Sequence, residues 1–385
     1  MPERRCLVMG TFAMDPRPWS GVTWEFARVI AGIETATVIA PPDRFYDKDN
    51  PTRQADLRDR IDARLRRMAG RPVPRMRETE VAGEHDLAIY VCQFVYELDE
   101  ITRFRGWRDR CARAAVFLLE AWPGVFAAQA ESLRKLDLFD HVFVLNGRAA
   151  EALPRFTRTP VSQLSTAADA LGVTPAPGFP TRVIDLLCIG RNDPVAHAAL
   201  RDHAVRRGLF YHHDVWRNQN VAAGWEEVRC LNADLIRRCR YYIVWDPNRG
   251  RHGVQRRDEV LSTRYFEGAA GGAVLVGSAP DCPEFRAAFD WPDALIPLPA
   301  DPGAVIDALD AEPARVARIR LRNMRECLGR HDWSHRWAEV LRVFNLAPTA
   351  AHLAREARLA RLAESLTEEA VRERAGVCGR HFRQA

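Results

Sequence analysis

Positions 246–257 read DPNRGRHGVQRR, four arginines and a histidine within a dozen residues. The run leaves the end of an apolar, strand-like segment, and ligands in open α/β sheets bind beyond the carboxyl ends of strands. Arg249, Arg251 and His252 are therefore candidates for holding phosphate, against the ordinary reading of a solvated charge run. Directly after it comes DEVLSTRYFEGAAGGAVLVG, 258–277. There Glu259 and Glu267 stand eight residues apart, on nearly one face of a helix, with Arg264 and Tyr265 between them. A carboxylate accepts two hydrogen-bond donors at once. Glu259 reads equally well as a solvated helix residue. Gly271-Gly272 closes the helical pattern and leads into a buried strand, as a glycine stop commonly does.

These groups need a scaffold, and the periodicity supplies one. Strand-like runs at 6–9, 36–40, 87–92, 115–119 and 141–145 alternate with helical patterns at 23–33, 53–68, 98–111, 126–136 and 148–155. That is the signature of βαβ units on a parallel sheet. A proline-rich stretch, TPAPGFP at 174–180, resists helix and central strand alike. The pattern then restarts, with strands at 183–189, 209–212, 241–245, 273–276 and 294–296 and helices at 195–207, 225–239, 261–270 and 305–309. From 314 onward the chain reads helical, through 318–327 and 336–344, into a tail whose Leu359, Leu362 and Leu366 share one face. The expected domains are 1–173 and 183–335, joined by a linker at 174–182 and followed by helices over 336–385.

The chain has 385 residues, enough for two α/β cores, with 47% apolar and 28% charged residues, the composition of an ordinary folded protein. Apolar runs such as 87–92 and 114–119 are strand-sized, so no membrane span is expected. The early arginines and the segment 6–14 lack a small-residue cleavage site and read as a first strand, not a leader. Nine cysteines, an odd number, with Cys6, Cys92 and Cys188 inside apolar runs, point to free thiols and a cytoplasmic setting. Cys378 and His381 form one metal-like pair without a second. The net charge is +5, but Lys48 and Lys135 are the sole lysines, so the arginine excess reflects codon bias as much as a phosphate-seeking surface. Nucleic acid is not the expected partner, and the oligomeric state is not written in the sequence.

The run Arg264-Tyr265-Phe266-Glu267-Gly268-Ala269-Ala270-Gly271-Gly272 resembles the donor helix of glycosyltransferases of the GT-B class, with its E-x7-E pattern. It is similar above all to the R-x-F-E-x-A-x-x-G run of the bacterial subgroup related to spore-maturation (CgeB-like) proteins. The likeness covers 183–344 and reaches the first half only by topology. It implies two Rossmann-like domains facing a cleft, with a nucleotide-sugar donor on the second. Glu267 would accept from the ribose hydroxyls, Glu259 would sit near the sugar, Arg264 would neutralise the diphosphate, and the glycines would admit its approach. Gly190 and Arg191 match the family's G-R pair at the pyrophosphate. The lysine that follows in the family is replaced by Asn192-Asp193-Pro194. His331 to Arg336 resembles the run that closes the family domain, an architectural role. Ser20 and Gly21, in PWSGVT, match a loop that turns backbone N–H groups toward acceptor or phosphate.

Glycosyl transfer develops positive charge at the anomeric carbon and negative charge on the departing diphosphate, and needs a base at the acceptor hydroxyl. Glu120, at the end of FLLEAW, is the preferred base and Asp15 the second candidate. A salt bridge or a cap would explain either residue. With no D-x-D motif, the nearest being Asp246-Pro247-Asn248, metal-independent transfer from a UDP-sugar to a small-molecule or glycan hydroxyl is expected. An epimerase on the same architecture and a non-catalytic nucleotide-sugar binder are the alternatives. An epimerase would release free sugar without an acceptor.

Overall fold

The computed structural model describes residues 4–15, 17–45, 55–71, 73–175, 180–190, 192–214, 224–245, 260–299 and 301–368. The chain folds into two units: one of 1–165, 219–228 and 337–353, the other of 166–218, 229–336 and 354–385.

The first unit carries β1 (Arg5–Gly10), β2 (Thr35–Ile39), β3 (Thr79–Glu80), β4 (Leu87–Phe94), β5 (Phe104–Arg105), β6 (Ala114–Glu120), β7 (His141–Val144) and β8 (Val161–Gln163). Six of them form a parallel sheet in the order β2-β1-β4-β6-β7-β8, while β3 and β5 pair apart. The central β4 is buried on both faces, which is why LAIYVC reads as a continuous apolar run. β8 is three half-buried residues at the sheet edge, too short and too polar to show in the sequence. The register sets Gly10 beside Val91, and Phe94 beside Glu120. The carboxyl ends of β1, β4 and β6 thus lie together.

Two expected α-helices of this unit are not regular. Val95–Arg103 is a 3₁₀ helix, and 126–136 breaks into a four-residue α-turn flanked by 3₁₀ turns. The cause is spacing. Val95, Leu98 and Ile101 are all buried, as are Leu133, Leu136 and Phe139, and a strict three-residue period falls on one line only in the tighter helix. The returning segment 337–353 brings Trp337, which is fully buried beside Phe26 and donates to Glu34 Oε1 at 2.7 Å.

In the second unit β9 (Ile184–Cys188), β10 (Tyr211–His213), β11 (Cys239–Val244), β12 (Val274–Gly277) and β13 (Ile296–Pro297) form a parallel sheet, order β10-β9-β11-β12-β13. The helix Pro194–Arg207 starts on an Asp193 cap, whose carboxylate accepts from the N–H groups of Val195 and Ala196, with proline in the first turn. It ends at Gly208 in the left-handed region. The residues in place of the family lysine therefore build a helix start. Chain passage between units falls at 165–166, ahead of the proline-rich stretch, because Ala168, Ala170 and Val173 already belong to the second core. Asp332 holds that segment, accepting from Ala170 N at 2.9 Å and pairing with Arg355. The tail packs on the same core, with Leu359 and Leu366 buried and Leu362 against them.

Candidate active site

In the second unit, the sheet's carboxyl edge is formed by Cys188, Gly190, His213, Asp214 and Trp245. Gly190 takes φ +82°, and its N–H donates to Asp214 Oδ2 at 2.6 Å. A side chain there would be strained and would also run into the Arg264 guanidinium, which lies directly over the turn. Arg264 stands in the first turn of the helix Thr263–Ala270, which Ser262 caps through Arg264 N. Its charge reaches Cys188, whose thiol is pushed up to about 11 by burial, with Arg264 pulling the other way. One turn along, Glu267 is buried and accepts from Arg229 Nη2 at 2.7 Å. Below it lies Tyr242, fully buried, whose hydroxyl has no hydrogen-bond partner among the described residues. Gly268 leaves room for the Tyr242 ring.

Gly190, Arg264 and Glu267 are therefore brought together. The other matched positions of the run face elsewhere. Tyr265 is fully buried among Phe285 and Phe289 and donates to the Ser278 carbonyl at 2.6 Å. Gly271 packs against Ile236, and Gly272, at φ +71°, against Met324 and Arg182. Both are made small by the core they touch. Arg191, Arg249, Arg251, His252 and Glu259 lie outside the described residues, as do Cys378 and His381. His331 sits in a packed corner: its Nε2 donates to the Ala288 carbonyl at 2.8 Å, and burial drives its pKa down to about 3.

In the first unit, the sheet's carboxyl edge gathers carboxylates. Asp15 is buried, ion-paired through Oδ1 to Arg17 at 2.8 Å, while its Oδ2 is buried without a partner among the described residues. Arg17 in turn lies over the Trp19 ring. Glu120, partly exposed, accepts from Gln93 Nε2 at 3.0 Å. Gln93 Oε1 is likewise buried and unpartnered among the described residues. Glu97 accepts from Thr11 Oγ1 at 2.5 Å and from Gln93 N at 2.8 Å. Burial raises its pKa to about 7, the hydrogen bonds oppose that, and the Asp15 charge adds to it. Ser20 and Gly21 are buried in the first turn of the helix Ser20–Ile33. Two buried acceptor atoms without a partner among the described residues thus lie at this one sheet edge.

Residues 197–342 match the family described as glycosyl transferase-like. Among solved structures the chain is similar to an E. coli trehalose-6-phosphate structure bound with UDP-2-fluoro glucose (11% identity, 90% of this chain and 100% of that one, TM-score 0.52). It is similar to an alpha-glucosyltransferase in complex with UDP and a 13-mer DNA (10% identity, 90% and 100%, TM-score 0.52). A third is a UDP-forming alpha,alpha-trehalose-phosphate synthase from Burkholderia xenovorans, in complex with glucose-6-phosphate (12% identity, 89% and 100%, TM-score 0.50). Residues 197–342 thus form a glycosyl transferase-like domain, and the chain has the GT-B fold of these structures. No curated protein matches the sequence.

At these two sheet edges, three contributors escape a reading by motif. Arg229 is one arginine among 54 and becomes visible only when its helix packs on Glu267. Tyr242 reads as core. Glu97 lies three residues beyond β4, in the first turn of the 3₁₀ helix at that strand's carboxyl end, a position that could have drawn notice. Among the described residues no helix is long and apolar enough to cross a membrane.

Proposed function

We propose that this enzyme is a hexosyltransferase that moves a sugar from a nucleoside diphosphate, uridine-linked, to an acceptor hydroxyl without a metal ion. The observation that carries the reading is the Arg264 guanidinium lying over the Gly190 turn, with Glu267 one helical turn further on. A diphosphate needs cationic, forked donors beside exposed backbone, and a ribose needs a carboxylate next to it. Arg264 takes the leaving-group charge, Glu267 shares its carboxylate between Arg229 and the ribose, and the arginines of 246–257 add to the charge. Uridine is favoured because the similar structures hold UDP or a UDP-sugar. On the acceptor side Glu120 is the general base, with Asp15 as the alternative, for a small-molecule or glycan hydroxyl. A cytoplasmic setting belongs to the same reading, on the odd cysteine count and the burial of Cys6, Cys92 and Cys188 as small apolar side chains.

A thermal-shift panel of uridine, guanosine, adenosine and thymidine diphosphates, with magnesium or with chelator, tests the donor site. A nucleotide at a hundred times its dissociation constant adds about 2.7 kcal/mol. The expected result is a shift with uridine diphosphate that chelation leaves unchanged and that Arg264→Ala or Glu267→Ala removes. No shift with any nucleotide overturns the reading. Product analysis with a UDP-sugar then separates transfer from epimerisation, which frees sugar in the absence of acceptor.

A further inference from the structure

The helix Leu57–Met68, in the first unit, is amphipathic the wrong way round. At 100° per residue, Asp59, Asp62, Ala63 and Arg66 fall on one side, and Leu57, Ile61, Leu65 and Met68 within about 80° of one another on the opposite side. The polar side is the one that meets the protein. Arg44, itself buried, pairs with Asp59 at 2.6 Å and Asp62 at 3.1 Å, Asp62 also pairs with Arg66, and Ala63 is buried. The apolar side is open to solvent, with Leu57, Ile61, Leu65 and Met68 exposed by 70, 50, 60 and 76%. Exposed arginines border this stripe: Arg64 and Arg67 on one flank and Arg58 on the other. Five arginines stand against two aspartates in the helix, and both aspartates are committed inward.

We propose that this helix docks the protein on an anionic lipid surface, lying flat with its leucine, isoleucine and methionine side chains among the acyl chains and its arginines at the headgroups. An apolar stripe with a basic border is what an interfacial helix presents, and arginine stems can cover apolar surface while their heads stay at the phosphates. A second copy is the poorer occupant, because pairing two such helices along their stripes would set arginine borders against each other. The docking is independent of the donor-site reading.

The test is co-sedimentation of the full chain with vesicles of phosphatidylcholine containing about a third phosphatidylglycerol, against vesicles of phosphatidylcholine alone. Binding to the anionic vesicles, weakened by high salt, is expected. Ile61→Ser/Leu65→Ser and, separately, Arg64→Glu/Arg67→Glu should each lower the bound fraction about tenfold. All four positions are exposed, so both variants should keep the wild-type melting temperature and any nucleotide shift. Absence of wild-type binding, equal binding to neutral vesicles, or binding untouched by both variants overturns the proposal. So does a dimer in solution that Ile61→Ser/Leu65→Ser dissolves without vesicle binding by wild type.

Discussion

The two units offer the same kind of surface, the carboxyl edge of a parallel sheet, and furnish it with different side chains. On the second, a guanidinium lies over a glycine turn; on the first, Asp15, Glu97 and Glu120 crowd the ends of three neighbouring strands. The backbone geometry is common to both, so the chemistry each edge can perform is decided by a few side chains that contribute little to the sheets themselves. A guanidinium over a turn suits a leaving diphosphate, and clustered carboxylates suit a proton to be removed and a transition state with positive charge on carbon.

The contrast is broken most sharply by exchanging which step fails. Glu120→Gln keeps the volume and can still accept from Gln93, so the nucleotide shift should persist while turnover falls by roughly 10²- to 10⁴-fold, the usual weight of a general base. Steady-state kinetics beside the thermal-shift panel reads both. If turnover survives, the base is elsewhere on that edge, with Asp15→Asn the next variant.

A second prediction concerns pH. Glu97 in the folded protein titrates near 7, above its ordinary value of 4.5. For a carboxyl raised in this way the neutral form is the one the fold favours. Its contribution is complete below about 4.5 and is lost as pH rises through 7. Over that window the first unit should lose on the order of 3 kcal/mol, and Glu97→Gln should flatten the slope. Melting temperature against pH for the two proteins checks it; parallel profiles would mean that Glu97 is not held in this state.

The smallest effect separates core from site within the donor helix. Tyr265→Phe removes one hydrogen bond to the Ser278 carbonyl, costing about 1 kcal/mol of stability, and should leave the nucleotide shift intact. Loss of the shift at unchanged stability would put Tyr265 back among the ligand contacts.

How far the sequence carried these conclusions depends on the distance over which each signal acts. β4 and β11 are legible because burial on both faces leaves an unbroken apolar run, and the helix Thr263–Ala270 because its cap, face and glycine stop are local. The 3₁₀ segments are legible in principle, through three-residue spacing, but over so few turns that spacing also fits the commoner α-helical period. Tyr265 and Gly272 could not be sorted from Arg264 by position in a motif. Their neighbours, Phe285 and Met324, lie 20 and 52 residues away in sequence. The inverted helix Leu57–Met68 was found as a helix, yet its outward face was hidden, since periodicity reveals a stripe and not the side from which it is covered.

Trp337, buried beside Phe26 and bonded to Glu34, has a consequence for how the protein is made. The first unit is composed of three separate lengths of chain, and its closing piece is synthesised after the whole sheet of the second. A ribosome therefore delivers the early strands well before the tryptophan that completes their packing. The second unit is closed later still, by the length 354–385 with its buried Leu359 and Leu366, so the two units are interleaved along the chain and each waits on a piece that the ribosome releases late.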